Sequence, residues 1–120
     1  MTVRVGVVGC GYIAGFADDV LGRRYIFSHA KAISQVDELE IAACCDSDFS
    51  QAKKFAKKWS VPTCVNSVEA LIKTCDCEVY VVAATTKSHI KILQSILQLS
   101  SNKRVVVCEK PISFSYEESE

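Results

Sequence analysis

Five short apolar runs recur along the chain, each followed by a stretch whose apolar residues fall at helical spacing. The first, Val3-Arg4-Val5-Gly6-Val7-Val8, is nearly continuous rather than alternating, which suits a strand buried on both faces of a parallel sheet. Leu39 to Cys45 predicts a second strand, Thr63 to Val65 a short third after Pro62, Glu78 to Ala84 a fourth and Arg104 to Cys108 a fifth. Between them, Phe49, Ala52, Phe55, Ala56 and Trp59 share one helical face opposite Lys53, Lys54, Lys57 and Lys58. That spacing predicts an amphipathic helix from Phe49 to Trp59, capped by Asp48, with its lysines solvated. Further helices are expected at His29 to Ile33, at Ser67 to Lys73 with Ser67 or Asn66 as cap, and at Ile90 to Leu99. Strands alternating with helices imply right-handed crossovers and an α/β fold with a doubly wound parallel sheet, in strand order 3-2-1-4-5.

The first strand runs straight into Gly9-Cys10-Gly11-Tyr12-Ile13-Ala14, a Gly-x-Gly-x-x-Ala turn. In a dinucleotide-binding fold the first glycine makes the tight turn, the second lets backbone approach a pyrophosphate, and the small third residue lets the next helix pack closely. The helix beginning after Gly11 is expected to offer unpaired N–H groups and partial positive charge to the phosphates. The acid that receives the adenosine ribose hydroxyls sits at the tip of the second strand, and here Asp46, followed by Ser47, holds that place. Asp46 lies well past the roughly 20-residue spacing usual for that acid, a difference that an insertion across Phe16 to Ser28 accounts for. A carboxylate at this point repels a 2′-phosphate, so NAD is expected ahead of NADP. Ligands bind beyond the carboxyl ends of such strands, and Gly9 to Gly11, Asp46, Thr85 to His89 and Glu109-Lys110 all fall at that edge.

At 120 residues the chain makes one domain of ordinary composition, 49% apolar and 23% charged. Its formal charge is zero, which removes the basic footprint of a nucleic-acid binder and the polybasic surface that anionic lipid needs. The N-terminal apolar run is too short for a signal peptide or a membrane span, so a cytoplasmic protein is expected. Seven cysteines without a C-x-x-C pair point to buried free thiols rather than a metal site or a disulfide framework. Cys10, inside the glycine turn, is the one thiol near a helix terminus that could activate it.

Cys108-Glu109-Lys110-Pro111, after the fifth strand of such a sheet, resembles the Glu-Lys-Pro signature of the Gfo/Idh/MocA oxidoreductases, the glucose-fructose oxidoreductase and inositol dehydrogenase group. The resemblance spans the chain, since the glycine turn, the His29-Ala30 segment and Asp46 match in order. Ala84 to His89 is similar to a Thr-Pro-x-x-x-His segment beside the nicotinamide, but with Ala84 and Thr85 in place of the Thr-Pro pair. The resemblance implies the Rossmann fold and reversible hydride transfer between a nicotinamide and a hydroxyl-bearing carbon of a sugar, cyclitol or sugar nucleotide. It implies Lys110 as the catalytic residue at that hydroxyl, where a partly desolvated ammonium can donate or accept a proton. Glu109 would position Lys110 or the nicotinamide, a cis Lys110–Pro111 bond would close the turn, and Gly9, Gly11, Tyr12, Ile13, Asp46, Ser47, Ala84, Thr85, His89, Glu109 and Lys110 would line the cofactor.

Ser115 to Glu118 reads as a capping box opening another helix. The family continues into a sixth strand and a second α/β domain carrying the substrate pocket, so this chain is expected to be an incomplete cofactor domain, inactive alone. Its fifth strand would then be a sheet edge, and a homo-oligomer is expected. A cofactor-sensing regulator without catalysis would keep Gly9, Gly11 and Asp46 but has no use for Glu109-Lys110-Pro111. A methyltransferase would favour an acid ahead of the glycines, where Val7-Val8 stands.

Overall fold

A computed structural model describes residues 2–17, 28–100 and 105–108. The insertion across Phe16 to Ser28, together with Glu109, Lys110, the Lys110–Pro111 bond and the Ser115 to Glu118 box, falls wholly or mostly outside these residues.

Five parallel strands form one sheet: β1 Val3–Val8, β2 Leu39–Cys45, β3 Thr63–Val65, β4 Val79–Val82 and β5 Val105–Cys108. Their order is β3-β2-β1-β4-β5, the doubly wound arrangement expected, with β1 at the centre. The helices are α1 His29–Ser34, α2 Phe49–Trp59, α3 Val68–Thr74 and α4 Thr86–Leu99. Among the described residues, no helix is long and apolar enough to cross a membrane.

Each strand alternates its side chains between two cores. One face gathers Val5, Val7, Cys44 and Val81 under α1 and α2, with Ala30, Ile33, Ala52 and Phe55. The other gathers Val8, Ala43, Tyr80 and Val82 under α3 and α4, with Leu71, Ile72 and Ile96. Burial on both faces is why β1 reads as an unbroken apolar run. Four of the seven thiols, Cys10, Cys44, Cys45 and Cys77, are buried in these cores, and all seven are free.

The first three helices start on side-chain caps. Asp48 accepts from the N–H groups of Ser50 and Gln51 at the start of α2, and Ser67 accepts from Ala70 at the start of α3, so Ser67 rather than Asn66 is the cap. Two expectations change. The segment after Gly11 opens as a single π-helical turn, Tyr12–Phe16, rather than a regular helix. Gly15 explains the contact behind it: a Cβ there would stand 2.5 Å from the Trp59 indole nitrogen and 2.6 Å from the Phe55 ring, so the turn lies directly on α2. Its carbonyl also receives the Trp59 indole N–H at 3.1 Å and the Lys58 ammonium at 2.8 Å. Lys58 stays exposed with the other α2 lysines, as expected, while its ammonium reaches this carbonyl and lies over the Phe16 ring. The second change is that α4 begins at Thr86, so Lys87, Ser88 and His89 are helical and not part of a loop. Thr85 caps this helix through its carbonyl, which accepts the Ser88 N–H at 2.9 Å, and the two hydroxyls lie 3.3 Å apart.

Candidate cofactor cleft

The site lies where β1, β2 and β4 end. Gly9 leaves β1 with φ +94°, its N–H bonded to the Cys45 carbonyl at 2.8 Å. A Cβ at Gly9 would come within 2.5 Å of the Ala84 backbone nitrogen, so only glycine allows the β1 and β4 ends to meet this closely. Gly11 is the opposite case. A Cβ there would meet nothing within 4 Å. The two glycines of one motif thus answer to different demands, one facing the fold and one facing open space.

Asp46 is braced from two sides. Its Oδ2 accepts the Cys10 N–H at 2.8 Å and its Oδ1 accepts the Asp48 N–H at 2.9 Å. A carboxylate has about four acceptor positions, so each oxygen keeps capacity for a further donor. Asp46 is therefore not a helix cap, a role taken by Asp48, but a strut between β2 and the glycine turn with acceptors to spare. A cleft of about 300 Å³ opens beside it, lined by Val8, Gly9, Asp46 and Ser47 on one side and by Ala84, Thr85 and Ser88 on the other. That volume is at the small end of the range for small-molecule sites. Asn66 before α3, which the sequence marked only as a possible cap, completes its walls together with Glu69 of α3 and Lys91 of α4, which it did not mark. Only their position after β3 and along α4 could have flagged them.

Tyr12 and Ile13 stand half exposed on the π-helical turn next to Gly11. Ala84 and Thr85 reach the cleft directly. His89 does not line it: the imidazole is 1% exposed, its Nε2 lies 2.7 Å from the Ala84 carbonyl, and it meets the cleft only through that turn. Glu109 and Lys110 follow the last described residue of β5 and lie outside the described residues.

Cys10 is no nucleophile in this setting. Its thiol is fully buried, donates to the Cys45 carbonyl at 3.3 Å, and is pushed well above the ordinary thiol value by its hydrogen bond with Cys44 and by burial. Among the described residues no cluster of three His, Cys, Asp or Glu side chains is placed to hold a metal ion.

One residue that sequence reasoning missed is Gln51. Placed in the first turn of α2, it donates from Nε2 to the Cys10 carbonyl at 2.8 Å. As one more polar residue in an amphipathic helix, it carried no signal of a contact 41 residues away.

Residues 3–120 match the family model of the oxidoreductase family with an NAD-binding Rossmann fold. The chain is 30% identical over 112 residues to the trans-1,2-dihydrobenzene-1,2-diol dehydrogenase of Bos taurus, a match covering 93% of this chain and 30% of that protein. An uncharacterised oxidoreductase of Bacillus subtilis is 25% identical over 114 residues, 95% of this chain and 29% of its own. The chain thus spans about 30% of the length of these curated relatives. Among solved structures, an oxidoreductase from Agrobacterium radiobacter in complex with NAD+, L-tartaric acid and magnesium superposes with a TM-score of 0.79 at 21% identity, covering 99% of this chain and 30% of that one. The scyllo-inositol dehydrogenase from Lactobacillus casei with bound NAD(H) and scyllo-inositol gives 0.74 at 19% identity, covering 98% and 31%. At such identities the structures establish the fold. With its central β1, glycine turn and order β3-β2-β1-β4-β5, the chain belongs to the Gfo/Idh/MocA oxidoreductase family through that family's NAD-binding Rossmann domain.

Proposed function

We propose that residues 1–120 are the cofactor domain of an NAD-dependent dehydrogenase that oxidises a hydroxyl-bearing carbon of a sugar, cyclitol or sugar nucleotide. The observation that carries this reading is the contrast at the glycine turn. Gly11 presents bare backbone to open space beside a carboxylate, Asp46, that still has acceptor capacity. In this reading the pyrophosphate lies along Gly9 and Gly11 under Tyr12 and Ile13. Asp46 and Ser47 take the adenosine ribose hydroxyls. Ala84 and Thr85 bound the nicotinamide side, with His89 holding their turn through the Ala84 carbonyl.

Bound NAD supplies a two-electron hydride acceptor. Lys110 is proposed to stand at the substrate hydroxyl and move its proton, with Glu109 positioning that lysine. Substrate contacts belong to the length of the relatives that this chain does not span, so the 120 residues alone are expected to bind cofactor without turnover.

Calorimetric titration with NAD(H) and NADP(H) tests the cofactor assignment. Tighter binding of NAD(H) is expected, because Asp46 meets a ribose diol favourably and a 2′-phosphate with like charge. A clear preference for NADP(H) would remove Asp46 from this role.

Two further expectations accompany the reading. Seven free thiols suit a reducing compartment such as the cytoplasm. The outer strand β5 turns Val105, 60% exposed, and Val107, 44% exposed, to solvent. An outer strand with exposed valines favours pairing with a second copy, so a homo-oligomer is expected by light scattering at micromolar concentration. A monodisperse monomer would argue against it.

A further inference from the structure

The peptide between Cys10 and Gly11 is gripped from behind. Asp46 takes the Cys10 N–H at 2.8 Å, the Cys45 carbonyl takes its thiol at 3.3 Å, and Gln51 Nε2 donates to its carbonyl at 2.8 Å. In a planar trans peptide the carbonyl and the following N–H point in opposite directions. Holding the Cys10 carbonyl against α2 therefore aims the Gly11 N–H away from α2. That N–H makes no hydrogen bond among the described residues, and the space beside Gly11 is open.

Gln51 is itself firmly mounted. Its own N–H lies 3.0 Å from the Asp48 carbonyl and 3.4 Å from Asp48 Oδ1, which fixes the first turn of α2. At the other end of the helix, Lys58 and Trp59 pin α2 to the Gly15 carbonyl. A side chain extending from so braced a helix can hold one peptide orientation against its flipped alternative.

We propose that Gln51 is a positioning residue for the pyrophosphate of NAD: it locks the Cys10–Gly11 peptide with the Gly11 N–H facing the phosphates and the Cys10 carbonyl turned away. The proposal rests on the NAD reading above. If the peptide flipped, a carbonyl oxygen would face the phosphate oxygens, replacing a donor with a repelling acceptor. Asp46 constrains only the N–H side of Cys10 and cannot prevent this flip. Gln51→Met removes the donor at similar length, and Gln51→Glu sets an acceptor against the Cys10 carbonyl and favours the flip.

Both variants and the wild-type chain are titrated calorimetrically with NAD, ADP-ribose and adenosine, and the Gly11 amide resonance is followed in ¹⁵N-labelled protein as ADP-ribose is added. Affinity for NAD and ADP-ribose is expected to fall about tenfold in Gln51→Met and further in Gln51→Glu, the scale of one hydrogen bond to a charged group. Adenosine, which lacks the pyrophosphate, is expected to bind all three alike, and the Gly11 amide is expected to shift on binding only where Gln51 is intact. Variants that match a binding wild type, or that lose adenosine and ADP-ribose in equal measure, overturn the proposal and leave the NAD reading standing. A wild-type chain that binds neither NAD nor ADP-ribose overturns both.

Discussion

Two polar regions of this domain, the knot around Tyr80 and the turn around Gly11, are built on opposite rules. Below β4, the buried Tyr80 hydroxyl donates to the Asp76 carboxylate and accepts the Cys77 N–H at 2.9 Å, while the Ser100 hydroxyl donates to the same carboxylate at 2.7 Å. Burial and the bond to Asp76 push the Tyr80 phenol well above its ordinary value, so it stays a neutral donor. These donors and acceptors answer one another. At the glycine turn the polar groups on the protein side are equally well answered, by Asp46, Gln51 and Cys45, but the Gly11 N–H, beside open space, is left over among the described residues. A closed network lends stability and uniqueness to a core. A braced network with one exposed donor left over is prepared to receive something.

The sharpest way to break the comparison lies within the glycine motif. Gly9→Ala forces a Cβ to 2.5 Å from the Ala84 nitrogen at φ +94°, and a loss of about 3 kcal/mol or more in denaturant unfolding is expected. Gly11→Ala meets open space at φ −87°, and should change stability by less than about 1 kcal/mol while weakening NAD about tenfold or more. Equal stability losses in the two variants would erase the distinction between a glycine kept for the fold and one kept for a ligand.

Tyr80→Phe gives the next largest effect. It leaves the Cys77 N–H without its hydroxyl acceptor and takes one of two donors from an Asp76 oxygen that keeps the Ser100 hydroxyl, at a cost of roughly 1–3 kcal/mol in thermal or chemical unfolding. NAD affinity should stay at the wild-type value, because the knot lies at the opposite ends of the strands. A loss of binding to match Gly11→Ala would show that the two regions are coupled.

Acid provides the smallest test. The Asp48 carboxyl is held below its ordinary value first by the Ser50 hydroxyl and then by the Gln51 N–H, and Glu78 by its own N–H, by that of Arg4 and by the Arg4 guanidinium. Groups whose folded value is depressed stabilise the fold above their unfolded value and lose that contribution as the pH falls through the folded one. The unfolding midpoint should therefore hold near neutrality and decline as the pH drops through the carboxylate range. Asp48→Asn should flatten part of that decline, and a midpoint that rose on acidification would contradict both assignments.

Much of this was open to reading in one dimension. β2, β3 and α2 lie where their patterns put them, because burial on two faces or on one helical stripe imposes a local period. The caps Asp48 and Ser67 are local chemistry as well, since each side chain serves N–H groups within three residues. Gly9, Gly11 and Asp46 were legible because a turn after a Val-rich strand and an acid after the next strand are consequences of chain order. The start of α4 was misplaced because Thr85-Thr86-Lys87-Ser88 can serve as loop or first turn, and the bond from His89 to Ala84 that accompanies the helical choice draws on a buried imidazole.

What the sequence by itself determined is the α/β alternation, the parallel sheet and the two ends of a dinucleotide motif, all set by periods and spacings within each unit. Only the tertiary structure decided which glycine faces protein and which faces space, that the exposed Lys58 also reaches the Gly15 carbonyl, and that Gln51 reaches Cys10. The reason is physical. The Lys58, Trp59 and Gln51 contacts join α2 to residues more than 40 positions earlier, and a hydrogen bond between distant segments leaves no period, spacing or composition in either of them.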